Sequence, residues 1–493
     1  MDTIKITIDG KQYKVPQNST ILSAARANEV HIPTLCSLKG LDPRANCRIC
    51  VVEVEGMRNL QPACATPVRD GMVIHTMSDR VINSRRMTLQ LILADHAVDC
   101  HHCMRIGSSR CDSLDPEFCE MCFFCDCVRD GFCELQALAR EYKVDQLPYE
   151  IEADRYQIDL SLGSVIRNPN KCVKCRRCVD ICGKVQHVHN LAVIGRGNGV
   201  RIGPMMNLSM RDSDCIRCGK CVENCPTGAL FMQEHKDEFM YYAHDYKTCT
   251  VMQISDGAME KLRANLAKTA HKHNSDVSLK MLAGSLKKIG IDALYSETEA
   301  AAVAKRQAAE ILDKADFAKP VILTNSFAAK NFLTKNYAAL SDCFAFYASD
   351  QEIFAKLARD AAKDIMGAEQ EQLKVFHFAA NNEDGAESLE EGTADLTVNA
   401  NELLRIFQRT GAEPQAQRTA NLASFGVDLT ATPYEMLLGN TAWSMDGEPV
   451  CLRITVNGVR RTAYICTNLG QADTLLKELQ AGSSDADIIR IIG

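Results

Sequence analysis

The sequence predicts an α+β protein built from several domains, and two observations lead to that prediction. Twenty of the 24 cysteines lie between Cys36 and Cys225, many of them in CxxC spacings, so the first half of the chain is expected to be small metal-binding domains. After about residue 245, strand-like and helix-like segments alternate, which is typical of an α/β domain. A chain of 493 residues is long enough for three or four such domains.

Composition and charge exclude several classes of partner. A net charge of −7 over this length favours neither nucleic acid nor an anionic membrane surface. No apolar run approaches the roughly 20 residues that span a bilayer, and the start, MDTIKITIDGKQYKV, lacks the apolar core of a signal peptide. We therefore expect a cytoplasmic protein, in which dense CxxC motifs indicate metal binding and not disulfides.

The most specific motif is a pair of cysteine runs, each spaced C-x2-C-x2-C-x3-C, with Pro226 after the second. Two such runs are typical of a double [4Fe–4S] ferredoxin domain, in which the fourth cysteine of each run ligates the cluster of the other. The spacing predicts two [4Fe–4S] clusters within residues 151–240, one held by Cys172, Cys175, Cys178 and Cys225, and the other by Cys182, Cys215, Cys218 and Cys221. Zinc favours paired CxxC hooks, and neither zinc nor disulfides explain the triple spacing as well.

A second group of cysteines lies in residues 1–80, spaced C-x10-C-x2-C-x13-C as Cys36, Cys47, Cys50 and Cys64. It follows a predicted hairpin, Ile4–Ile8 and Gln12–Val15 joined at Asp9-Gly10, and a short helix over Thr20–Asn28. One close pair of thiolates with two distant partners suits a [2Fe–2S] cluster in a loop against a small sheet. The spacing resembles the N-terminal β-grasp [2Fe–2S] ferredoxin domain of the large iron–sulfur subunit of complex I and of [FeFe] hydrogenases.

Residues 81–150 contain a histidine among cysteines, as His96-x3-Cys100-x2-Cys103 and, later, Cys133 in the context CELQ. This arrangement resembles the [4Fe–4S] site of the same families that uses one histidine and three cysteines. The resemblance assigns a [4Fe–4S] cluster to His96, Cys100, Cys103 and Cys133. An imidazole in place of a thiolate removes one negative charge, which should help to tune the cluster potential.

An insertion at 104–130 departs from the family pattern and adds five cysteines. They can hold a fourth [4Fe–4S] cluster, by preference through Cys111, Cys119, Cys122 and Cys125, with Cys127 as the alternative fourth ligand. A rival partition gives Cys111 to the His96 site and leaves Cys119, Cys122, Cys125 or Cys127, and Cys133 for the new cluster. Zinc competes for this short loop. The sequence thus predicts one [2Fe–2S] and four [4Fe–4S] clusters.

Residues 245–493 contain predicted elements with identifiable boundary signals. Ser296-Glu-Thr-Glu299 is interpreted as a capping box that opens a helix ending at Lys314, and Asn399-x-x-Glu402 as a cap of a helix that ends near Gly411. Further predictions are strands Val321–Leu323, Lys374–Ala379 and Asp487–Ile492, helices Ala329–Leu340 and Gln471–Ala481, and a hairpin of Cys451–Val456 and Val459–Thr467. Cys249, Cys343, Cys451 and Cys466 are scattered, and we expect them to be buried apolar residues.

This half resembles the catalytic domain of [FeFe] hydrogenases, on the segments KPVILTNSFAAKNFLTKNYAAL, KVFHFAANNEDGAE and GVRRTAYICTNLGQADTLLKELQAGSSDADIIRIIG. The resemblance places Ser326 and Ala380 where the family has its first two active-site cysteines, and Gly493 where the final C-P-G-G-C motif would begin. Neither side chain supplies the soft anionic ligand that the hydrogen-activating cluster needs. The expectation is a degenerate domain without catalytic residues, which serves as a docking platform.

The resemblance implies an electron-relay subunit of a flavin-based electron-bifurcating oxidoreductase that couples NAD(H), NADP(H) and ferredoxin. Such subunits accompany an NADH-binding flavin iron–sulfur subunit and a small thioredoxin-like [2Fe–2S] subunit. The implied further partners are an NADP-binding flavoprotein or [NiFe] hydrogenase subunits, together with soluble ferredoxin. NAD and FMN or FAD are expected on partners, because the chain has neither a G-x-G-x-x-G after a strand nor a P-loop.

The alternatives come from different classes of protein. They are an electron-transfer subunit of a bifurcating [NiFe] hydrogenase or of a formate dehydrogenase, a stand-alone [FeFe] hydrogenase, and a scaffold whose clusters are structural. Missing cysteines argue against the stand-alone enzyme, and the hydrogenase-like second half argues against the formate dehydrogenase. A structural scaffold would differ from a relay in having clusters that do not titrate at physiological potentials.

Overall fold

The computed structural model describes residues 2–97, 127–129, 132–144, 148–149, 156–269, 277–366, 372–380, 382–414, 419–439, 441 and 443–492. The predicted ligands Cys100, Cys103, Cys111, Cys119, Cys122 and Cys125 lie outside the described residues. No helix in the described part of the chain is long and apolar enough to cross a bilayer.

The N-terminal unit is a five-stranded sheet with one short helix packed on it. Its elements are β1 (Thr3–Ile8), β2 (Lys11–Pro16), α1 (Ile21–Ala27), β3 (Val51–Val54), β4 (Gln61–Pro62) and β5 (Val73–His75). The strand order is β2-β1-β5-β3-β4, and β1 runs parallel to β5. The predicted hairpin and helix are confirmed, since Asp9 and Gly10 both have positive φ at the turn and the Thr20 hydroxyl caps α1.

Two helices connect this unit to the rest of the chain, α2 (Asp79–Ala94) and α3 (Glu134–Glu141). Their apolar faces meet in a small core that includes Leu89 and Leu138. Arg85 of α2 is fully buried and donates from Nη1 to the Tyr142 hydroxyl at 2.7 Å and from Nη2 to the Val51 carbonyl at 2.8 Å. A buried guanidinium is tolerated only with such partners, so Arg85 joins β3, α2 and the end of α3.

The cysteine runs lie in a unit of short elements: β6 (Ile166–Arg167), α4 (Arg177–Asp180), β7 (Leu191–Ile194), β8 (Arg201–Pro204), α5 (Lys220–Glu223) and β9 (Leu230–Phe231). β6 pairs with β9 and β7 with β8, both antiparallel. Short turns of 3-10 helix cover Pro169–Lys171, Gly197–Gly199 and Met205–Asn207, and a π turn covers Ile181–Val185.

The two runs repeat the same unusual backbone. Lys174 and Arg176 in the first run have φ of 55° and 66°, and Arg217 and Gly219 at the equivalent positions have φ of 65° and 65°. One left-handed residue lies in each interval between the first three cysteines of a run. Only one of the four is a glycine, so three side chains accept a conformation that residues with a Cβ disfavour. Repeated strain of this kind is expected where the surrounding structure fixes a ligand loop.

The C-terminal half contains two sheets with helices packed against them. Its elements up to residue 366 are α6 (Lys236–His244), β10 (Cys249–Ile254), α7 (Asp256–Thr269), α8 (Leu279–Ile289), β11 (Ala293–Ser296), α9 (Thr298–Lys314), β12 (Val321–Thr324), α10 (Phe327–Asn336), β13 (Phe344–Phe346) and α11 (Asp350–Met366). A 3-10 segment covers Ala338–Cys343. The later elements are β14 (Leu373–Phe378), α12 (Asn382–Glu391), β15 (Leu396–Val398), α13 (Ala400–Thr410), α14 (Glu435–Leu438), β16 (Val450–Val456), β17 (Val459–Cys466), α15 (Leu469–Gln480) and β18 (Ile488–Ile491).

The first of these sheets has the order β11-β10-β14-β15 and is parallel throughout, and the second has the order β13-β12-β18-β17-β16 with one antiparallel pair. The mixture of parallel strands and covering helices confirms the predicted α/β character. The predicted hairpin at Asn457-Gly458 is confirmed, with positive φ at both residues. The Asn399 cap with Glu402 is confirmed as well, and α13 is followed by Gly411 in the left-handed region.

Three predictions for this half are wrong in detail. The capping box at Ser296 does not form, because the Glu299 carboxylate accepts hydrogen bonds from the Phe425 and Val427 amides instead. The helix predicted over Ala329–Leu340 begins two residues earlier, at Phe327, and ends at Asn336. Of the four late cysteines only Cys466 is buried; Cys249 and Cys343 are partly exposed and Cys451 is exposed.

Candidate iron–sulfur sites

The four N-terminal cysteines lie together in the loops that flank β3 and β4. Their side chains form two hydrogen-bonded pairs, Cys36 with Cys47 and Cys50 with Cys64. In each pair one thiol has a lowered pKa and its partner a raised pKa. Hydrogen bonding from Cys47 lowers the pKa of Cys36 to about 6, and hydrogen bonding from Cys50 lowers the pKa of Cys64 to about 7. Two pairs of sulfurs match the demand of a [2Fe–2S] cluster, in which each iron takes two thiolates.

This loop docks directly against the first cysteine run. The Asn46 side chain donates from Nδ2 to the Lys174 carbonyl at 2.9 Å, and the Arg44 Nε donates to the Asp180 carboxylate at 2.7 Å. The Arg177 charge is also close enough to the Cys36 sulfur to contribute to the lowering of its pKa, after the Cys47 side chain and the backbone hydrogen bonds. The N-terminal site and the first run are therefore immediate neighbours.

The first predicted [4Fe–4S] set encloses a single cavity. Cys172, Cys175, Cys178 and Cys225 all line it, with apolar walls that include Leu191, Ile202 and Leu230. The fourth of these cysteines comes from the end of the second run. The crossed arrangement that the spacing predicts is thus the arrangement of these side chains, and the ligand assignment itself stays a prediction.

The second set shows the same pattern on the other side of the unit. Burial, and after it the neighbouring thiols of Cys218, Cys215 and Cys182, raises the pKa of Cys221 well above its ordinary value, with a smaller effect from Cys225, so these thiols lie close together. The Asn190 amide donates to the Cys182 sulfur at 3.2 Å, and the Arg217 amide donates to the Cys215 sulfur at 3.4 Å. The two cysteine sets are consequently adjacent.

The remaining predicted ligands are described only in part. His96 is buried at the end of α2, and the next amide, that of Ala97, donates to the Asn170 carbonyl at 2.9 Å. Cys133 is buried at the start of α3, and burial followed by the charges of Cys127 and Cys225 raises its pKa to about 12. Cys127 is therefore close to Cys133, which is the pairing that the rival partition of the inserted cysteines would use.

The chemistry of these donor sets fits iron–sulfur clusters. Burial raises the pKa of the Cys172 and Cys215 thiols to about 11 and that of Cys218 to about 12, so without a cation the sulfurs stay protonated. Backbone amides two residues on, such as Lys174 after Cys172, hydrogen-bond the sulfurs and favour their thiolate form.

The C-terminal half offers no sulfur at the two positions that the hydrogenase resemblance marks. The Ser326 hydroxyl caps α10 and donates to the Glu383 carboxylate at 2.6 Å. Ala380 lines a cleft of about 450 Å³ between this half and the ferredoxin-like unit, together with Asn224, Lys261 and Trp443. A hydroxyl and a methyl side chain thus stand at the two positions where the resemblance would require cysteines.

Two buried cations beside the cysteines were missed by sequence reasoning. Arg177 and Lys220 each stand directly before the third cysteine of a run, and they are 6% and 4% exposed. Arg177 forms a two-pronged ion pair with Glu134, and the Lys220 ammonium lies 4.7 Å from the centre of the Trp443 ring. Both residues stand before the third cysteine of their run, and this shared position is the signal that the sequence offered. Their partners, Glu134 and Trp443, are distant in sequence and could not be identified from it.

Family models match most of the chain. A 2Fe-2S iron-sulfur cluster binding domain matches residues 1–79, two 4Fe-4S dicluster domains match 164–226 and 214–254, and the C-terminal domain of the iron only hydrogenase large subunit matches 260–493. The fold and these sites define an iron–sulfur electron-transfer protein with a hydrogenase-like C-terminal domain.

Whole-chain similarity identifies the family. The chain is 30% identical, over 98% of its length and 86% of the relative's, to the NADP-reducing hydrogenase subunit HndD of Solidesulfovibrio fructosivorans, and it belongs to the family of that subunit. Its first half is 35% identical to a subunit of the NADH-quinone oxidoreductase of Rhizobium meliloti and 30% identical to the alpha subunit of the NADPH-Fe(3+) oxidoreductase of Geobacter sulfurreducens. The chain spans only 24% of the length of each of these two relatives.

Proposed function

We propose that the chain is the iron–sulfur relay subunit of a cytoplasmic, flavin-based electron-bifurcating oxidoreductase that couples NAD(H), NADP(H) and ferredoxin, and that it has no hydrogenase activity of its own. The observation that carries the proposal is the contrast between the two sides of the ferredoxin-like unit. On one side, Arg177 adjoins further cysteine sites. On the other, Lys220 contacts Trp443 and Glu383 of a domain that has Ser326 and Ala380 where the resemblance would require thiolates for a catalytic cluster.

The proposed cofactors are one [2Fe–2S] cluster and four [4Fe–4S] clusters, held by the cysteine and histidine sets given above. When bound, these groups accept and release single electrons. The chain's own residues hold them through buried sulfurs, donate backbone hydrogen bonds to those sulfurs, and exclude water with side chains such as Leu191 and Ile202. Buried cations such as Arg177 then add positive charge where electrons would arrive.

The proposed partners follow from what the chain lacks. It has no nucleotide-binding fingerprint, so NAD and FMN or FAD belong on an NADH-binding flavin subunit, with a small thioredoxin-like [2Fe–2S] subunit beside it. The names of the relatives support a nicotinamide-linked complex, because they include an NADP-reducing hydrogenase and NADH- and NADPH-linked oxidoreductases. Soluble ferredoxin and an NADP-binding flavoprotein complete the proposal.

Anaerobic purification of the native assembly, with every co-purifying chain identified by mass spectrometry, tests this function. A second nucleotide-binding flavoprotein without a hydrogenase is the expected result. [NiFe] hydrogenase subunits or a formate dehydrogenase catalytic subunit would replace the transhydrogenase with the corresponding alternative, and a chain that purifies alone would contradict the relay. The isolated chain should also fail to reduce a viologen dye with H2.

Cluster content is a separate test. We expect about 18 iron atoms per chain, from one two-iron and four four-iron clusters. A value of about 14, with stoichiometric zinc, would reject the fourth [4Fe–4S] cluster in the 104–130 insertion.

A further inference from the structure

A charged side chain is buried at the centre of the cysteine-rich half. Arg177 lies between Cys175 and Cys178 and is only 6% exposed. Its Nη1 and Nη2 donate to the two carboxylate oxygens of Glu134 at 2.7 and 2.8 Å. Bidentate pairing fixes the guanidinium plane, and a charge this deeply buried needs such a partner.

Both members of this pair are attached to cysteine sites. Glu134 directly follows Cys133, and its amide donates to the Pro226 carbonyl at 2.9 Å, next to Cys225. Pro226 in turn lines the same cavity as the sulfurs of the first [4Fe–4S] set. Glu134 is therefore held at the start of α3 by a residue that forms part of the wall of that cavity.

The N-terminal site reaches the same guanidinium from the other side. The loop that carries Cys36 and Cys47 is anchored beside Arg177 by the Asn46 hydrogen bond to Lys174 and by the Arg44 ion pair with Asp180. The charges of Cys175 and Cys36 both interact with Arg177. One cation thus adjoins the N-terminal cysteine set and the first [4Fe–4S] set.

We propose that the Arg177–Glu134 pair is a shared electrostatic control of the clusters held at the Cys36 and Cys172 sites, so that a change in the pair moves both reduction potentials in the same direction. A buried positive charge favours the reduced, more negative state of any group beside it, and Glu134 offsets part of that effect. The inference rests on the proposed relay function, because it requires redox-active clusters at both sites. Arg177 is here a positioning residue, since it acts through the field at the sites and does not ligate iron.

Potentiometric titration monitored by electron paramagnetic resonance, on the anaerobically purified full-length chain, separates the two sites by their signals. Arg177→Gln should move both midpoint potentials to more negative values, by about a tenfold change in the oxidised-to-reduced ratio at fixed potential, or about 59 mV for a one-electron couple. Glu134→Gln should move both in the opposite direction, because the Arg177 charge is then unopposed. The site of Cys182, Cys215, Cys218 and Cys221 should keep its potential in both variants.

Two further variants control the result. Arg177→Lys keeps the charge and loses the two-pronged geometry, so it should leave both potentials close to those of the wild type. Lys14→Gln removes an exposed charge from the same N-terminal unit and should change neither potential. Iron content and thermal unfolding are measured for every variant, and if Arg177→Gln loses its clusters, Glu134→Gln still gives the opposite shift that the proposal requires.

The outcomes distinguish this inference from the proposed function. Wild-type signals that titrate, together with a shift at only one site, no shift, or shifts of the same sign in both variants, would overturn the shared control and leave the relay intact. A wild-type chain whose clusters do not titrate would overturn both.

Discussion

The two cysteine runs use the same local structure in different surroundings. Each places a basic residue before its third cysteine, buries it, and repeats the same left-handed backbone positions. Arg177 meets Glu134 and the Cys36 loop. Lys220 meets the Trp443 ring, lies 3.9 Å from the Glu223 carboxylate, and acts on the buried Glu383 carboxyl.

This difference shows that the cysteine motif determines the backbone of each ligand loop, whereas the neighbouring domain determines which side chains contact that loop. Beyond Arg177 lie further thiols that suit cluster binding. Beyond Lys220, the carboxyl of Glu383 accepts hydrogen bonds from the Ser326 hydroxyl and the Ala328 amide, an arrangement of ordinary polar groups. In the function that we propose, electrons move within the first half and the second half provides surface for partners.

The largest expected effect is a loss of iron when a cysteine of the first half is replaced, compared with no loss when a cysteine of the second half is replaced. Cys178→Ala removes a sulfur from the first [4Fe–4S] set and should lose about four iron atoms per chain together with the corresponding resonance signal. Cys466→Ala, in the C-terminal sheet, is the matched control, because it removes a buried sulfur that has no cluster partner in the proposal. Iron lost equally from both variants would break the distinction between the halves.

A second variant tests the buried cation on the hydrogenase-like side. Lys220→Gln removes the buried cation beside Glu383 and one of the two lysines beside Glu223, and it should lower the free energy of unfolding by about 3 kcal/mol. Glu383→Gln should cost far less, because burial already raises the pKa of Glu383 toward its neutral form and the glutamine oxygen can still accept both hydrogen bonds. Chemical denaturation of both variants at the same pH measures the difference, and equal losses would contradict this ranking.

The contact between the N-terminal unit and the first run gives a smaller effect. Arg44→Ala leaves the buried Asp180 carboxylate without its main partner and should destabilise the docked unit by about 1–3 kcal/mol. Asp42→Asn is the matched control on the same surface, because Asp42 is 90% exposed and its pair with Lys184 should contribute almost nothing. Backbone hydrogen exchange in the loop at 44–47, which contacts the first run, reports the docking, and equal exchange in the two variants would refute it.

The smallest expected effect is a pH dependence of the unfolding free energy that comes from Glu402, at the contact between α13 and His235 before α6. Burial raises the pKa of Glu402 to about 8, although its carboxylate accepts from the Asn399 and His235 amides. A carboxyl whose pKa is higher in the folded state than its ordinary value of about 4.3 stabilises the fold below that ordinary value and loses this contribution as pH rises toward 8. Wild-type protein should therefore lose on the order of 1 kcal/mol more than Glu402→Gln between pH 5.5 and 8 in urea unfolding. Parallel pH profiles would exclude this role.

Sequence reasoning was most successful where spacing alone fixes geometry. The hairpin turns at Asp9-Gly10 and Asn457-Gly458 were predictable because few residues adopt positive φ. The C-x2-C-x2-C-x3-C repeat predicted one set of Cys172, Cys175, Cys178 and Cys225, and these four side chains line one cavity, while their role as ligands remains a prediction. Local rules suffice for such features because the interacting groups are fixed by a few neighbouring bonds.

The rest depended on contacts between distant segments. Glu299 was predicted to cap its own helix, yet its carboxylate is used by the loop at 424–427, since tertiary amide donors compete with the local cap. The pairing of Arg177 with Glu134, 43 positions away, leaves no periodic signal in the sequence. The ion pair that we propose to couple two sites could be found only after the chain was folded.

A potentiometric titration of the anaerobically isolated wild-type chain, followed by electron paramagnetic resonance on samples whose iron and zinc have been counted, decides whether the clusters form an electron relay. An electron relay should show one [2Fe–2S] signal and several [4Fe–4S] signals that are reduced over the potential range of nicotinamide and ferredoxin couples. Signals that stay unchanged through that range would show that the clusters are structural, and the relay would be rejected.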